Sequence, residues 1–524
     1  MSPARLFKCI LHDQSANHSS DKERSVKPLI ATGEATAILP AGDNVTPIKV
    51  FGNKSIRDSF DSICLQQAVN CRLAPGVSEV VLNPDAHCGY GAPIGCVLAS
   101  PTHIYPGPVG FDIKCSMSLL QTDLPEDAVE DKETRRELIH AISRRIPTGA
   151  GKGSRHVPNG RRVTTSLGNE VLTSGASRAV MDELGIPTLW TDRCEDSVHA
   201  GADGQTGADG QNDSLRRRLE VLQKTESLPN YKRKIEQLGS YGGGNHFGEC
   251  EVVDIQNDEP SKSVASVFGL QHGKVAFLSH CGSRGIGHRL ATGQFRALEE
   301  QFDRWRIPYP AGDKQLVYAP LGTREADNYL DDMAMGANFA TVNHLLINAL
   351  VLEAFQEVIP GTQGHLVYLI SHNIAQREII KGVPTWVHRK GATRALPAGH
   401  ASLTHTPFAT TGHPILLPGN PQAGSAVMVG LPDAEMSCYS VNHGAGRRLG
   451  RRRAIRELDQ KQVDASFDAA DILTNCRHYP RDEAPEAYKD FEQVVQSVES
   501  AGLAKQVARL HAKFVIKDAS AADD

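Results

Sequence analysis

A chain of 524 residues exceeds what one ordinary hydrophobic core can fill, which predicts either more than one subdomain or a single large multilayer domain. Its 40% hydrophobic and 22% charged residues are those of a globular protein, and no uninterrupted apolar run approaches the roughly 18 residues of a membrane span, so a soluble protein with no membrane partner is expected. A formal charge of −5 excludes general attraction to nucleic acid, so any RNA contact must come from a local basic cluster.

The amino end, MSPARLFKCILHDQSANHSS, holds an apolar patch too short and interrupted for a signal peptide. The 11 cysteines are scattered without a CxxC pair, which suits reduced thiols; both features predict a cytoplasmic protein. Residues 1–45 are polar and mixed and read as a poorly committed extension, with the main domain over 46–517 and a polar tail at 518–524. The first convincing strand is EVVLNPDAH, closing on Asp85 and His87, which stand two apart and so share a strand face. Between GAGKG at 149–153 and Arg233 the pattern is irregular and contains a tandem GADGQ repeat, whose composition cannot bury apolar surface; a flexible surface insertion is expected at about 190–215.

From Ser240 onward strands and helices alternate. Met333, Ala337, Ala340, Leu345, Ala349 and Leu352 recur at helical spacing and predict a long helix near 329–358, and Val494, Val498, Val507 and Leu510 predict another over 487–513. This order favours an α+β fold with layered mixed sheets surrounded by helices. GGGN and HGAGR lack the GxGxxG and GxxxxGK[ST] frames, which argues against a Rossmann or P-loop domain.

Several apolar stretches end on groups that bind metals: VGFDIKC at Asp112 and Cys115, GGGNH at His246, VAFLSH at His280 and LVYLISH at His372. Strand ends can aim distant segments at one point, so a single convergent site is expected, with Asp85 and His87 shaping it. Asp112 and Cys115 fall within one turn, and a carboxylate and a thiolate can each bridge two cations. Mixed O, N and S ligation admits Mn²⁺, Zn²⁺, Co²⁺ or Fe²⁺. Taken singly, each histidine reads more readily as a satisfied structural residue than as a ligand, and Cys115 as a small buried hydrophobe; their joint occurrence is what favours the cation site.

A sixth stretch, SCYSVNHGAGR, places His443 before Gly444, Ala445 and Gly446, small residues that let backbone amides approach an oxyanion. A neutral imidazole is a competent nucleophile toward phosphorus, so His443 reads as a carrier of a nucleotidyl group. Arg447 and Lys517 are candidate phosphate partners or ordinary surface cations, Asn245 is a candidate phosphate donor, and Phe247 reads first as core packing and otherwise as a surface for the base. Glu249, as a carboxylate, accepts both N1–H and N2–H of guanine but meets an acceptor at N1 of adenine, which would select GTP. The densest basic cluster, Arg447, Arg448, Arg451, Arg452, Arg453 and Arg456, reads either as an RNA contact or as a solvated helix face.

Read together and in order, DAHCGYGAPIG, VGFDIKC, QLGSYGGGNHFGE, SHCGSRGIGH, SHNIAQRE, VHRKGATRALPAG, LLPG, NHGAGR and AKFVIK resemble the RtcB family of RNA ligases, over roughly 75 to 517. That family joins RNA 2′,3′-cyclic phosphate or 3′-phosphate ends to 5′-hydroxyl ends, in tRNA splicing or RNA repair. The resemblance implies a deep metal-binding cleft among the sheets, with GTP and two Mn²⁺ ions. Asp112 and Cys115 would bridge the ions, His246 would bind one, and His280 and His372 the other. His443 would be guanylylated, and the guanylate would lie among Asn245, His246, Phe247, Gly248, Glu249, His372, Asn373, Pro418, Gly419, Asn420, Pro421, Ser425, His443, Gly444, Ala445, Gly446 and Lys517. RNA is the implied partner, together with an archease-like activator known to assist some relatives.

The chain departs from the family where PGNPQAG replaces PGSMGT, where Ser116 and Met117 follow Cys115, and at the 190–215 insertion. Two rival readings keep the cation site: a metal-dependent phosphoesterase acting on RNA ends, which needs neither His443 nor Glu249, and a non-catalytic RNA-binding paralogue, against which the open mixed-ligand set argues.

Overall fold

Residues 26–151, 163–207, 210 and 212–518 are described by a computed structural model, and they form an α+β molecule built on two large sheets. The first sheet runs in the order Ile30–Ala31, Thr36–Leu39, Ile48–Phe51, Glu79–His87, Ile94–Ser100, Val383–Lys390, Asn373–Ile380. The second runs Gly364–Ser371, Ser116–Pro125, Lys274–Cys281, Phe247–Ile255, Ala504–Lys517, Gly424–Gly430, Pro414–Asn420, with Leu473–Thr474 pairing off this path. Phe51, Val81, Val97 and Val387 of the first sheet share one apolar cluster with Ile415, Leu417, Ala426 and Met428 of the second, so these faces pack on each other. That packing makes the central strands apolar on both faces, and explains why their sequences read as runs rather than alternations.

The helix Arg324–Val358 is the spine of the largest core cluster. Thr323 caps it by accepting from the Ala326 amide, and Glu325 and Asp327 sit in its first turn, where the exposed amides favour negative charge. By length and composition it could cross a membrane, but 94% of its most apolar stretch is buried inside the protein. Its polar side chains are tethers. Asn343 Oδ1 accepts from the Gly239 amide at 2.7 Å, and the His344 ring bonds the Cys281 carbonyl at 2.9 Å, next to His280. Buried polar groups so paired fix the helix against the strand that carries a candidate ligand.

Three expectations need correction. Strand structure begins well before Glu79. Thr36–Leu39 and Ile48–Phe51 are only four residues each, too short to show a period alone, but pairing with each other and with Glu79–His87 buries Leu39, Ile48 and Val50 completely. The helix expected over 487–513 spans only Phe491–Ser500. Gly502 turns the chain at φ 70°, and Val507 and Leu510 belong to the strand Ala504–Lys517, which pairs on both sides. A spacing of three is compatible with either element, and the sheet decides.

The third concerns 190–215. Residues 194–202 are packed rather than loose: Cys194 bridges Leu369, the Glu195 amide donates to the Leu369 carbonyl at 2.9 Å, and the Ala202 amide donates to Asp331 Oδ1 at 2.8 Å. Residues 208, 209 and 211 of the GADGQ repeat, the first 25 residues and the tail from 519 lie outside the described residues.

Candidate metal and nucleotide site

The second sheet delivers the candidate ligands. Cys115 immediately precedes Ser116–Pro125, His246 immediately precedes Phe247–Ile255, His280 is the penultimate residue of Lys274–Cys281, and His372 immediately follows Gly364–Ser371. In register, Met117 and Phe247 both face His280, and Ser371 faces Ser116, so adjacent strands end together at one edge of the sheet. Strand spacing then sets the distances between their side chains.

Cys115 Sγ lies 3.1 Å from His280 Nε2 and 3.4 Å from His246 Nε2, and Asp112 Oδ2 lies 3.0 Å from His246 Nε2. The ligand atoms of Cys115, His280 and His372 lie within 4.8 Å of one another, as do those of Asp112, Cys115 and His246. The two triads share Cys115, and Asp112 belongs to one only. Supporting bonds orient them: His246 Nδ1 donates to the Tyr241 carbonyl at 2.8 Å, which turns its Nε2 lone pair inward, and Asp112 Oδ1 accepts from the Ser283 amide at 3.1 Å.

Burial, reinforced by Asp112, pushes the Cys115 thiol well above its usual range, and burial with neighbouring imidazoles pushes His280 and His372 well below theirs. His372 Nδ1 is buried without a hydrogen-bond partner. A buried thiol, neutral imidazoles, a carboxylate and an orphaned ring nitrogen form a donor set that a divalent cation would satisfy, and the two triads fit a pair of them.

Beside this cluster opens a cavity of about 250 Å³. Asn245, Phe247, Glu249, Pro418, Gly419, Asn420, Pro421, Ser425, His443, Gly444, Ala445, Gly446 and Lys517 line it, together with His280. Of the other residues expected around a nucleotide, His246 and His372 sit in the candidate ligand cluster. Gly248 faces elsewhere, since a β-carbon there would lie 2.3 Å from the Tyr241 hydroxyl. Asn373 is a brace, accepting from the Gly391 amide at 2.8 Å.

His443 follows the short strand Ser440–Asn442. Its Nδ1 lies 2.7 Å from Asp85 Oδ2 and 2.9 Å from the Gly391 carbonyl. Both partners are acceptors, so Nδ1 carries a proton, and Nε2 is the ring nitrogen left to react in a ring that lines the cavity. The ring centroid lies 4.7 Å from that of His372, which joins the cavity to the candidate ligand cluster. Gly446 is required as glycine: its φ is 75°, and a β-carbon there would lie 2.4 Å from the Asp85 carbonyl oxygen.

Lys517 is buried, 3.0 Å from Glu483 Oε2 and 5.7 Å from the Phe247 ring centre. Burial alone would raise the Glu483 carboxyl, but Lys517, Arg451 and Arg447 outweigh it and hold it at about 2. Sequence reasoning missed Glu483, Tyr479 and Tyr488, which line the cavity from irregular chain and 3₁₀ turns where no period exists to read. Glu249 Oε1 is buried without a partner, and burial together with Glu251 pushes the Glu249 carboxyl well above its usual range. Asn420 Oδ1 accepts from the Gln422 and Ala423 amides at 3.1 and 3.0 Å, so this departure from the family closes the hairpin turn through its own side chain. Of the basic cluster, Arg447 and Arg451 are tied to Glu483, Arg453 pairs with Glu457, and Arg448 and Arg452 are exposed.

Comparison with known proteins matches residues 67–518 to the family model described as tRNA-splicing ligase RtcB. The tRNA-splicing ligase RtcB of Pyrobaculum aerophilum is 34% identical over 489 residues, covering 90% of this chain and 94% of that protein. That of Thermococcus kodakarensis is 35% identical, covering 86% and 90%. The RNA-splicing ligase RtcB of Mycobacterium tuberculosis is 35% identical, covering 85% and 98%.

Proposed function

The chain belongs to the RtcB family and is an RNA ligase, and from that premise we propose that it joins RNA 2′,3′-cyclic phosphate or 3′-phosphate ends to 5′-hydroxyl ends, using GTP and two Mn²⁺ ions. The observation that carries this reading is His443: its proton is fixed on Nδ1 by Asp85 and Gly391, its Nε2 is free, and its ring lies against His372 of the metal cluster. Nε2 attacks the α-phosphorus of GTP and pyrophosphate leaves. The guanylate then passes from nitrogen to the RNA 3′-phosphate, and the 5′-hydroxyl displaces GMP as the new phosphodiester forms. A cyclic phosphate end is first opened by hydrolysis.

Asp112, Cys115, His246, His280 and His372 would hold the cations, which supply charge neutralisation at the phosphates. The remaining work falls to this chain's own groups. Asp85 fixes the tautomer of His443 and would steady its charge as it gains phosphorus. Lys517 offers a buried ammonium at the cavity wall, and Glu249, whose carboxyl burial and Glu251 hold toward the neutral form, would offer paired acceptors once the two N–H groups of a docked guanine favour its charged form. The exposed Arg448 and Arg452, neighbours in sequence of the cavity-lining Arg447 and Arg451, would offer positive charge to an RNA backbone.

The test is an end-specificity assay. Purified chain with Mn²⁺ and GTP should seal a 2′,3′-cyclic phosphate end to a 5′-hydroxyl end and leave a 3′-hydroxyl and 5′-phosphate pair unjoined. Hydrolysis of the cyclic end without sealing would favour the phosphoesterase instead.

A further inference from the structure

Lys114 stands between Asp112 and Cys115, is fully buried, and has left-handed backbone geometry with φ 52°. A β-carbon makes that conformation costly, so a lysine there must be held. Its ammonium has three protons, and three acceptors receive them: the Asp196 carbonyl at 2.7 Å, Thr341 Oγ1 at 2.6 Å and His199 Nε2 at 2.6 Å. Its backbone is tied as well. The amide donates to the Asn373 carbonyl at 2.7 Å, and the carbonyl accepts from Ser116 Oγ at 2.7 Å.

Asp196 and His199 belong to the insertion whose composition suggested a loose surface loop. That segment is locked to the elements that carry the site: the Ser371 amide, next to His372, donates to Glu195 Oε2 at 3.0 Å, and the His199 amide donates to Asn338 Oδ1 of the long helix at 2.7 Å. The insertion thus reaches through the protein to the turn that presents a carboxylate and a thiol to the imidazole cluster.

We propose that Lys114 is a positioning residue and that residues 195–199 are its mould: together they hold the Asp112–Cys115 turn in the shape that presents both ligands, so that divalent-cation affinity depends on the insertion. The proposal rests on the cation reading of the site. Each part contributes differently. The lysine's three bonds fix the left-handed turn, and His199 completes them from a position outside both ligand triads.

The experiment measures Mn²⁺ binding to the full chain by calorimetry, and follows the sulfur-to-metal charge-transfer band after Co²⁺ substitution, which reports the Cys115 bond independently of activity. Lys114→Met, which keeps the length and removes the donors, should weaken Mn²⁺ binding by about tenfold or more and diminish the Co²⁺ band, as loss of a ligand's supporting bonds does. Lys114→Gly takes the left-handed turn unaided and should stay within roughly twofold of wild type. His199→Ala should weaken binding in the wild-type background and have no further effect beside Lys114→Gly.

Wild-type affinity and band in Lys114→Met, or a Lys114→Gly chain as weak as Lys114→Met, would overturn the proposal. If Lys114→Met does not fold, equal losses from His199→Ala in both backgrounds would overturn it. A wild-type chain that binds no Mn²⁺ would instead sink the cation reading on which it rests.

Discussion

Asp85 Oδ2 sits 2.7 Å from His443 Nδ1 and 3.2 Å from the His443 backbone amide, so one buried carboxylate fixes both the ring and the backbone that carries it. Asp85 in turn is held in place. Lys489 donates to the carbonyls of Pro84 and Ala86 on either side of it, and Gly446 packs against its backbone. The pair is therefore pre-set before any substrate arrives.

Replacing Asp85 by Asn should keep the fold and the shape of this pair but allow an amide to donate to the ring, moving the proton to Nε2. Formation of the guanylylated chain is expected to fall by roughly 10³- to 10⁴-fold, as for other histidines held by a carboxylate, with Mn²⁺ binding unchanged. Single-turnover labelling alongside calorimetry measures both; equal loss of both would mean the variant has disturbed the fold instead.

Glu249→Gln replaces a paired acceptor with a group that must present an amide donor to guanine. GTP affinity should drop by roughly 10- to 100-fold, and the preference for GTP over ATP should shrink with it, since a buried mismatch of this kind costs about 1–3 kcal/mol. Competition binding with both nucleotides reads the ratio directly.

Because Cys115 belongs to both ligand triads and His246 to one, the two alanine variants should differ in stoichiometry. Cys115→Ala is expected to lose both cations from tight binding, and His246→Ala to retain one. Metal content after dialysis at a fixed Mn²⁺ concentration decides between one-ion and two-ion loss.

Glu483 supplies the pH dependence. Its carboxyl is held at about 2 against an ordinary 4.5, so the folded state favours the charged form. The stability this confers is complete above the ordinary value and is lost as pH falls from about 4.5 towards 2. The shift corresponds to about 3 kcal/mol, and Glu483→Gln should be destabilised by a comparable amount at neutral pH, with the gap to wild type closing in acid. Denaturant titrations at several pH values measure it.

Much of the candidate site could be read from the chain because its candidate ligands stand at strand ends, where an apolar run stops abruptly on His280 or His372. The long helix was legible because its apolar period extends over many turns. The carboxyl-terminal strand was not, since Val507 and Leu510 fit a helical spacing and a register shift between Ala512 and Phe514 breaks the alternation that would have revealed a strand. Glu483, Tyr479 and Tyr488 come from aperiodic chain, and only the fold brings them to Lys517. The GADGQ repeat set the character of its whole neighbourhood by composition, which hid the packed residues Glu195, Asp196 and His199 beside it.

The central claim is that His443 Nε2 accepts the guanylyl group. The most direct measurement is to incubate the purified chain with α-labelled GTP and Mn²⁺, then test the labelled protein for acid lability, alkali stability and position by peptide mapping. An acid-labile, alkali-stable guanylate on His443, absent from His443→Ala, is the predicted result. Label that persists in that variant, or RNA sealing with no labelled protein under any condition, would contradict it.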